Sequence, residues 1–354
     1  MQLLNNNSLF FIELVRAGLW EKDTQLSQYG SIDFNDILRL SEKQSVVGLV
    51  AAGIEHVVDA KLPQGVSLQF VGQAIQLEQR NSAMNTFIRV LVEKMRHEDI
   101  YTLIVKGQGV AQCYERPLWR SSGDIDFLLS DTNYAKAKEY LLPISSCNRH
   151  EACYSKHLGM TIDSWNVEIH GTLRTGLSGS VDKVVDDVQR DVFYGGNVRS
   201  WNNDGVQVFL PSPDNDVFFV FSHFIKHFYK EGGVSIRQIC DWCRLLWTFR
   251  DKINRDLLKK RLDKSGLMTE WKGFASLAVD SLGMPQDSMP FYDSSYKNKG
   301  SKLIEHILRG SKGSIICDTW SIVKIFPWHT LKFLPAIFFN VNGLKIKERL
   351  LGHD

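Results

Sequence analysis

Arg120-Ser121-Ser122-Gly123-Asp124-Ile125-Asp126-Phe127-Leu128-Leu129 runs from a guanidinium through a glycine into two carboxylates, then into an apolar run. The pattern predicts a strand over residues 125–129. Side chains alternate along a strand, so Asp124 and Asp126 share one face while Ile125 points into the core. Two like charges this close repel each other, and the arrangement is costly unless a cation neutralises it. A hard divalent ion held by carboxylate oxygens answers that need, and Mg²⁺ (or Mn²⁺) suits so sparse a site. Asp-x-Asp alone is common at the ends of surface strands, but its neighbours sharpen it. Gly123 leaves room for close backbone approach. Arg120 offers its fork to an anion, the competing reading being a structural pair with Asp124 or Asp126.

Working outward, residues 101–105 predict a strand that ends in Lys106-Gly107, where the lysine can meet a phosphate. Val167-Glu168-Ile169 predicts another, with His170 following on the face of Glu168. Three carboxylates from two adjacent strands are enough for two divalent ions, which in phosphoryl transfer lie about 4 Å apart. A helix over residues 134–142, stopped by Pro143, separates these strands, and residues 205–210 predict one more. Strands alternating with helices indicate a mixed α/β unit. Both flanks read as helical. The longest pattern runs from Ser67 to His97, Asp33 is a natural N-cap, and helical spacing returns after Asp214. Residues 287–300 read as a loop. The expected architecture is α+β: an N-terminal helical region over 1–99, a small mixed-sheet core over 100–210 and a C-terminal helical region over 211–354.

These residues resemble the nucleotidyltransferase superfamily related to DNA polymerase β. There a glycine-containing turn after the first strand precedes an Asp-apolar-Asp strand, and a later strand adds a third carboxylate. More closely, the chain resembles a bacterial group of nucleotidyltransferases often found near polysaccharide-biosynthesis genes. The shared positions are Arg80-Asn81, Lys106-Gly107, Tyr114, Arg120, Gly123-Asp124-Ile125-Asp126, Glu168-Ile169-His170, His223, Arg237 and Asp241-Trp242, within residues 30–250. The resemblance implies Asp124, Asp126 and Glu168 as metal ligands and catalytic groups. It places Gly107 in the turn that approaches the triphosphate of ATP or another NTP. Lys106, Arg120, Gly123, His170, His223 and Arg237 then fall to the nucleotide and its phosphates. One departure is Gln108, where the superfamily has Gly or Ser; Lys106 and Gly109 are the candidates to compensate. The implied activity moves an NMP from an NTP to an acceptor hydroxyl or phosphate, in surface polysaccharide synthesis. The rival readings are a non-catalytic nucleotide-binding protein or a membrane-peripheral assembly protein on the same fold.

Other motifs carry plainer readings. His223 and His227 are one helical turn apart but lack the glutamate of a zinc-protease helix. Cys240-x-x-Cys243 lies inside a helical pattern and not at a redox helix start. Cys147, His150, Cys153 and His157 have zinc-like spacing in a predicted loop. The apolar, aromatic stretch from Trp320 to Val341, followed by Lys345, Lys347 and Arg349, reads as a packed helix or as peripheral contact with an anionic membrane. Among 354 residues, 44% are hydrophobic and 23% charged, which excludes a disordered chain. A net charge of +2 gives no strong nucleic-acid footprint. Six cysteines without dense spacing fit a reducing cytoplasm. No secretory signal or membrane-spanning run is expected.

Overall fold

The structure, a computed structural model, describes residues 4–148, 156–230, 233–310 and 315–333. Three helices begin the chain: α1 (Asn6–Trp20), α2 (Phe34–Lys43) and α3 (Val47–Glu55). Asn5 caps α1, and Asp33 caps α2 by accepting from the Asn35 and Asp36 amides. The α1/α3 crossing is close because glycines form it: a Cβ on Gly18 would overlap the Leu49 carbonyl, and one on Gly53 the Leu14 carbonyl. The 34-residue α4 (Gln64–His97) follows directly after Pro63.

Seven strands come next, interrupted by helices: β1 (Leu103–Ile104), α5 (Gly107–Ala111), β2 (Ile125–Leu128), α6 (Asp131–Leu141), β3 (Cys147–Asn148), β4 (His157–Ile162), β5 (Trp165–His170), α7 (Gly179–Tyr194), β6 (Val198–Asn203) and β7 (Val206–Pro211). They form one mixed sheet in the order β3-β4-β5-β2-β1-β7-β6. The central pairs β2/β5 and β1/β7 are parallel, and the remaining pairs are antiparallel. Two hairpins turn on residue pairs with positive φ, Asp163-Ser164 and Asp204-Gly205, as tight two-residue connections require. The helices α8 (Pro213–Lys230), α9 (Ile236–Thr248), α10 (Arg255–Ser265), α11 (Met268–Ser276), α12 (Lys297–Arg309) and α13 (Ile315–Ile325) complete the described chain. The segment expected to be a loop is helical from Lys297, where α12 starts.

Alternation along the strands sorts the core into two. Ile125, Phe127, Val167 and Ile169 pack against Met84, Ile88, Leu91 and Met95 of α4 and against α6. Leu103, Val105 and Leu128 join the valines of α7 and the phenylalanines of α8 in a second, larger cluster. That cluster also contains α1, α2, α3 and α9 to α12, so the two flanking regions read from sequence are packed as one helical body. Trp20 donates to the Leu282 carbonyl at 2.6 Å, and Gln44 bridges the Ile236 amide and the Ile307 carbonyl. Trp320, Trp328 and Leu331 are exposed. No helix among the described residues is long and apolar enough to cross a membrane.

Candidate active site

The site forms where β2 lies between β1 and β5. Parallel pairing sets Asp126 opposite Glu168 and Leu128 opposite His170. With Ile125 and Phe127 committed to the α4 core, Asp126 must face the other way, towards α8 and α9. The Val105 amide donates to the Asp126 carbonyl at 3.0 Å, which brings the end of β1 beside the carboxylate. Lys106 then turns through φ +61° and ψ −153°, a conformation costly for any residue with a side chain. Its Nζ reaches Asp126 Oδ1 at 2.9 Å and His223 Nε2, on α8, at 3.2 Å.

On the other side, His170 Nε2 lies 2.9 Å from Asp126 Oδ1 and 3.6 Å from Glu168 Oε2. His157, from β4, places Nε2 3.0 Å from Glu168 Oε2, and its ring stacks on His170 with centroids 4.5 Å apart. Burial favours the neutral form of Asp126, but Lys106 and the His170 hydrogen bond outweigh it and hold the carboxyl below its ordinary value. Burial acts likewise on Glu168, and the bonds from His157 and His170 hold that group well below its ordinary value. Burial pulls the His170 imidazole down, yet Asp126 and Glu168 win and raise it. His223 is driven well below its usual value by burial and by Lys106, so it is a neutral acceptor for the ammonium.

The structure gives Arg120 a different partner from those expected. Nε and Nη2 both bond Asp241 of α9, at 2.8 and 2.7 Å, while Nη1 reaches Ser122 Oγ at 3.0 Å. A guanidinium this buried needs such pairing. Tyr114 also donates to Asp241, at 2.7 Å. Asp241 is thus taken up by Arg120 and Tyr114, although Arg237 lies one helical turn before it on α9. Arg237 keeps an Nε without a hydrogen-bond partner among the described residues, and Nη1 makes a long 3.4 Å contact with the Ser121 carbonyl. Burial and the neighbouring Arg120 lower its guanidinium pKa.

Gln108, the departure from the superfamily turn, is buried and accepts from Ser122 Oγ at 3.0 Å. It also contacts Asn81, whose amide holds the Leu118 and Arg120 carbonyls at 2.7 and 2.8 Å. The glutamine thus ties the Lys106-Gly107 turn to the segment that leads into Asp124. Gly109 does not supply the expected freedom at the phosphate turn; it gives close packing, since a Cβ there would press on Leu210. Gly107 has φ +46°, and around Gly123 a Cβ would meet no atom within 4 Å.

Lys106, Gly107, Arg120, Gly123, Asp124, Asp126, Glu168, His170, His223 and Arg237 all line one cavity of about 530 Å³. Among the described residues, the three-residue group with ligand atoms within 4.8 Å of one another is His157, Glu168 and His170. The donor set fits a divalent cation: register-matched Asp126 and Glu168 share one face, and Asp124 enters the same cavity. His157 was read from sequence only with Cys147, His150 and Cys153; residues 149–155 lie outside the described residues. The β-hairpin that pairs it with His170 was the missing signal. Cys240 and Cys243 are buried free thiols whose pKa values burial pushes up, a poor setting for redox chemistry.

Among solved structures, the crystal structure of an antigenic nucleotidyltransferase-like protein from Paracoccidioides brasiliensis is similar at 13% identity, over 60% of this chain and 96% of that one. The TM-score is 0.34, a likeness too distant to bear on the chemistry. No curated protein matches the chain. The family described as uncharacterised nucleotidyltransferase matches residues 30–283, across the whole sheet, the cavity and the helices that frame it. The chain belongs to that uncharacterised nucleotidyltransferase family.

Proposed function

We propose that the protein transfers an NMP from a Mg²⁺-bound NTP, ATP or another, to an acceptor hydroxyl or phosphate. The observation that carries this reading is the convergence of Asp124, Asp126 and Glu168 with Lys106 and Arg237 on one cavity. When bound, the ion supplies charge neutralisation for the triphosphate and activation of the attacking oxygen. Asp124 and Asp126 hold it, and Glu168 completes the acidic set. Arg237 takes a phosphate, because a buried guanidinium with an unmet N–H is costly until an anion satisfies it. Lys106, fixed by His223, takes another. His170 orients Asp126 and Glu168 together. Arg120 acts at one remove, holding Asp241, the Ser121 carbonyl and the Ser122 hydroxyl beneath the site. The likeness to the polysaccharide-associated group makes a saccharide hydroxyl the favoured acceptor. Catalysis on this reading is mainly positioning and electrostatics.

The test measures Mg²⁺-dependent NTP binding and pyrophosphate release in wild type and Asp126→Asn. Release should fall at least about a hundredfold in the variant, as for loss of a charge-stabilising group. Equal Mg·NTP binding by both proteins would overturn the site assignment. A non-catalytic nucleotide-binding protein is the second reading, favoured by Lys106 and His170 both contacting Asp126 Oδ1. Mg·NTP binding without pyrophosphate release for any acceptor would select it.

A further inference from the structure

One group in the cavity joins two imidazoles to a carboxylate. His157 and His170 stack with their ring planes 6° apart. Both direct Nε2 at the same oxygen, Glu168 Oε2, at 3.0 and 3.6 Å. An ion bound at roughly 2.0–2.2 Å to nitrogen and oxygen sets tetrahedral ligand atoms about 3.3–3.5 Å apart. The observed N···O separations bracket that spacing. Three strand positions fix them: His157 pairs with His170 across β4/β5, and Glu168 lies two residues before His170 on the same face. Strand geometry, and not flexible loops, therefore holds the group together.

We infer that His157, Glu168 and His170 form a binding site for a borderline transition-metal dication of the Zn²⁺ class. Two imidazoles and one carboxylate are the donors such ions prefer, whereas Mg²⁺ and Ca²⁺ take oxygen. The site is adjacent to the carboxylate pair: without the ion, His170 Nε2 lies 2.9 Å from Asp126 Oδ1, and the ion takes that nitrogen's lone pair in place of this contact. Three protein ligands leave a fourth position open, as in zinc sites that bind water or substrate oxygen. All three residues line the cavity, so that position is reached from it. The inference stands on this geometry alone and does not require nucleotidyl transfer.

The test uses the full-length protein, stripped with a chelator and equilibrated with Zn²⁺ in large excess of Mg²⁺, without nucleotide. Elemental analysis should find about one Zn²⁺ per chain. His157→Ala should weaken retention about tenfold or more, since even outer-shell changes cost that much. His157 is partly exposed at a strand end, and thermal unfolding of the variant checks that it folds. Glu168→Gln keeps the shape and removes the charge, and it should lose the ion too. With Co²⁺ in place of Zn²⁺, the visible spectrum should report nitrogen and oxygen ligation without a thiolate band. No Zn²⁺ retained against Mg²⁺, equal retention in wild type and His157→Ala, or loss of the ion on Cys153→Ser would each overturn the inference. A chain that transfers NMP yet holds no Zn²⁺ defeats this inference alone; one that holds Zn²⁺ and transfers nothing defeats only the nucleotidyltransferase reading.

Discussion

Lys106 concentrates the strain of the site in one residue. Its backbone sits where glycine is at ease and other residues are not, at a cost of about 1–3 kcal/mol. Lys106→Gly should therefore unfold at higher denaturant than Lys106→Ala, by about 1 kcal/mol, because both lose the ammonium and only one keeps the strain. Equal midpoints would remove strain from the account. Arg120 and Asp241 set the opposite kind of residue: fully paired, buried and structural. Burial raises the Asp241 carboxyl, but Arg120 and its other partners prevail and hold it below its ordinary value. Its contribution is complete above the unfolded value near 4 and is lost as pH falls through the lower folded value. In Arg120→Met the carboxylate stays buried without its main partner, a loss of about 3–5 kcal/mol near neutrality. Protonation relieves that penalty, so the deficit against wild type should shrink between pH 7 and pH 4. Urea titrations across that range check the sign. All ten candidates line one cavity, but sequence could not tell Arg120 from Arg237. Both are arginines near an aspartate, and only burial and the direction of the fork separate the structural cation from the one with an unmet donor.

Glycines and turns decide the elements. Gly53 lies where α3 crosses α1, and Gly53→Ala pushes a methyl into the Leu14 carbonyl. The loss should be about 1–3 kcal/mol, the range for overpacking. Gly72, in α4, meets nothing within 4 Å, and Gly72→Ala should add about 0.5–1 kcal/mol by helix propensity. Thermal unfolding of the two variants should move in opposite directions. The strand carrying Asp126 was legible from its dense apolar run, and the one carrying Glu168 from the alternation of Val167-Glu168-Ile169-His170. The β4/β5 hairpin was not, since Asp163-Ser164 lacks the glycine that usually marks such a turn. The α7 helix escaped despite Val181, Val184, Val185, Val188 and Val192 at helical spacing, because a valine-rich segment has low helix propensity. Packing against α8 and α10 overrides it.

At the scale of the molecule, the sheet has little that is its own. Beyond α6 and α7, one face is covered by α4 from before it and the other by α8 and α9 from after it. Residues 100–210 expressed alone should therefore lack a stable fold, with no cooperative urea transition, whereas the full chain should show one. A sigmoidal transition in the isolated segment would refute this. Composition anticipated a sizeable core but not its shape, since two amphipathic flanks give no sign in sequence that they meet. The contacts that join them span the chain: Trp20 to Leu282, Gln44 to Ile307, Arg244 to Leu19.

That closure has a consequence for synthesis. Trp20 and the carbonyl it bonds are 262 residues apart, so at about 5–20 residues per second the ribosome needs about 13–52 seconds to deliver the second after the first. Throughout that interval α1 can pair with α3, but the C-terminal helices that complete the shared cluster have not yet emerged. The nascent chain is then a natural client for chaperones, and slow translation of its second half prolongs its exposure to aggregation.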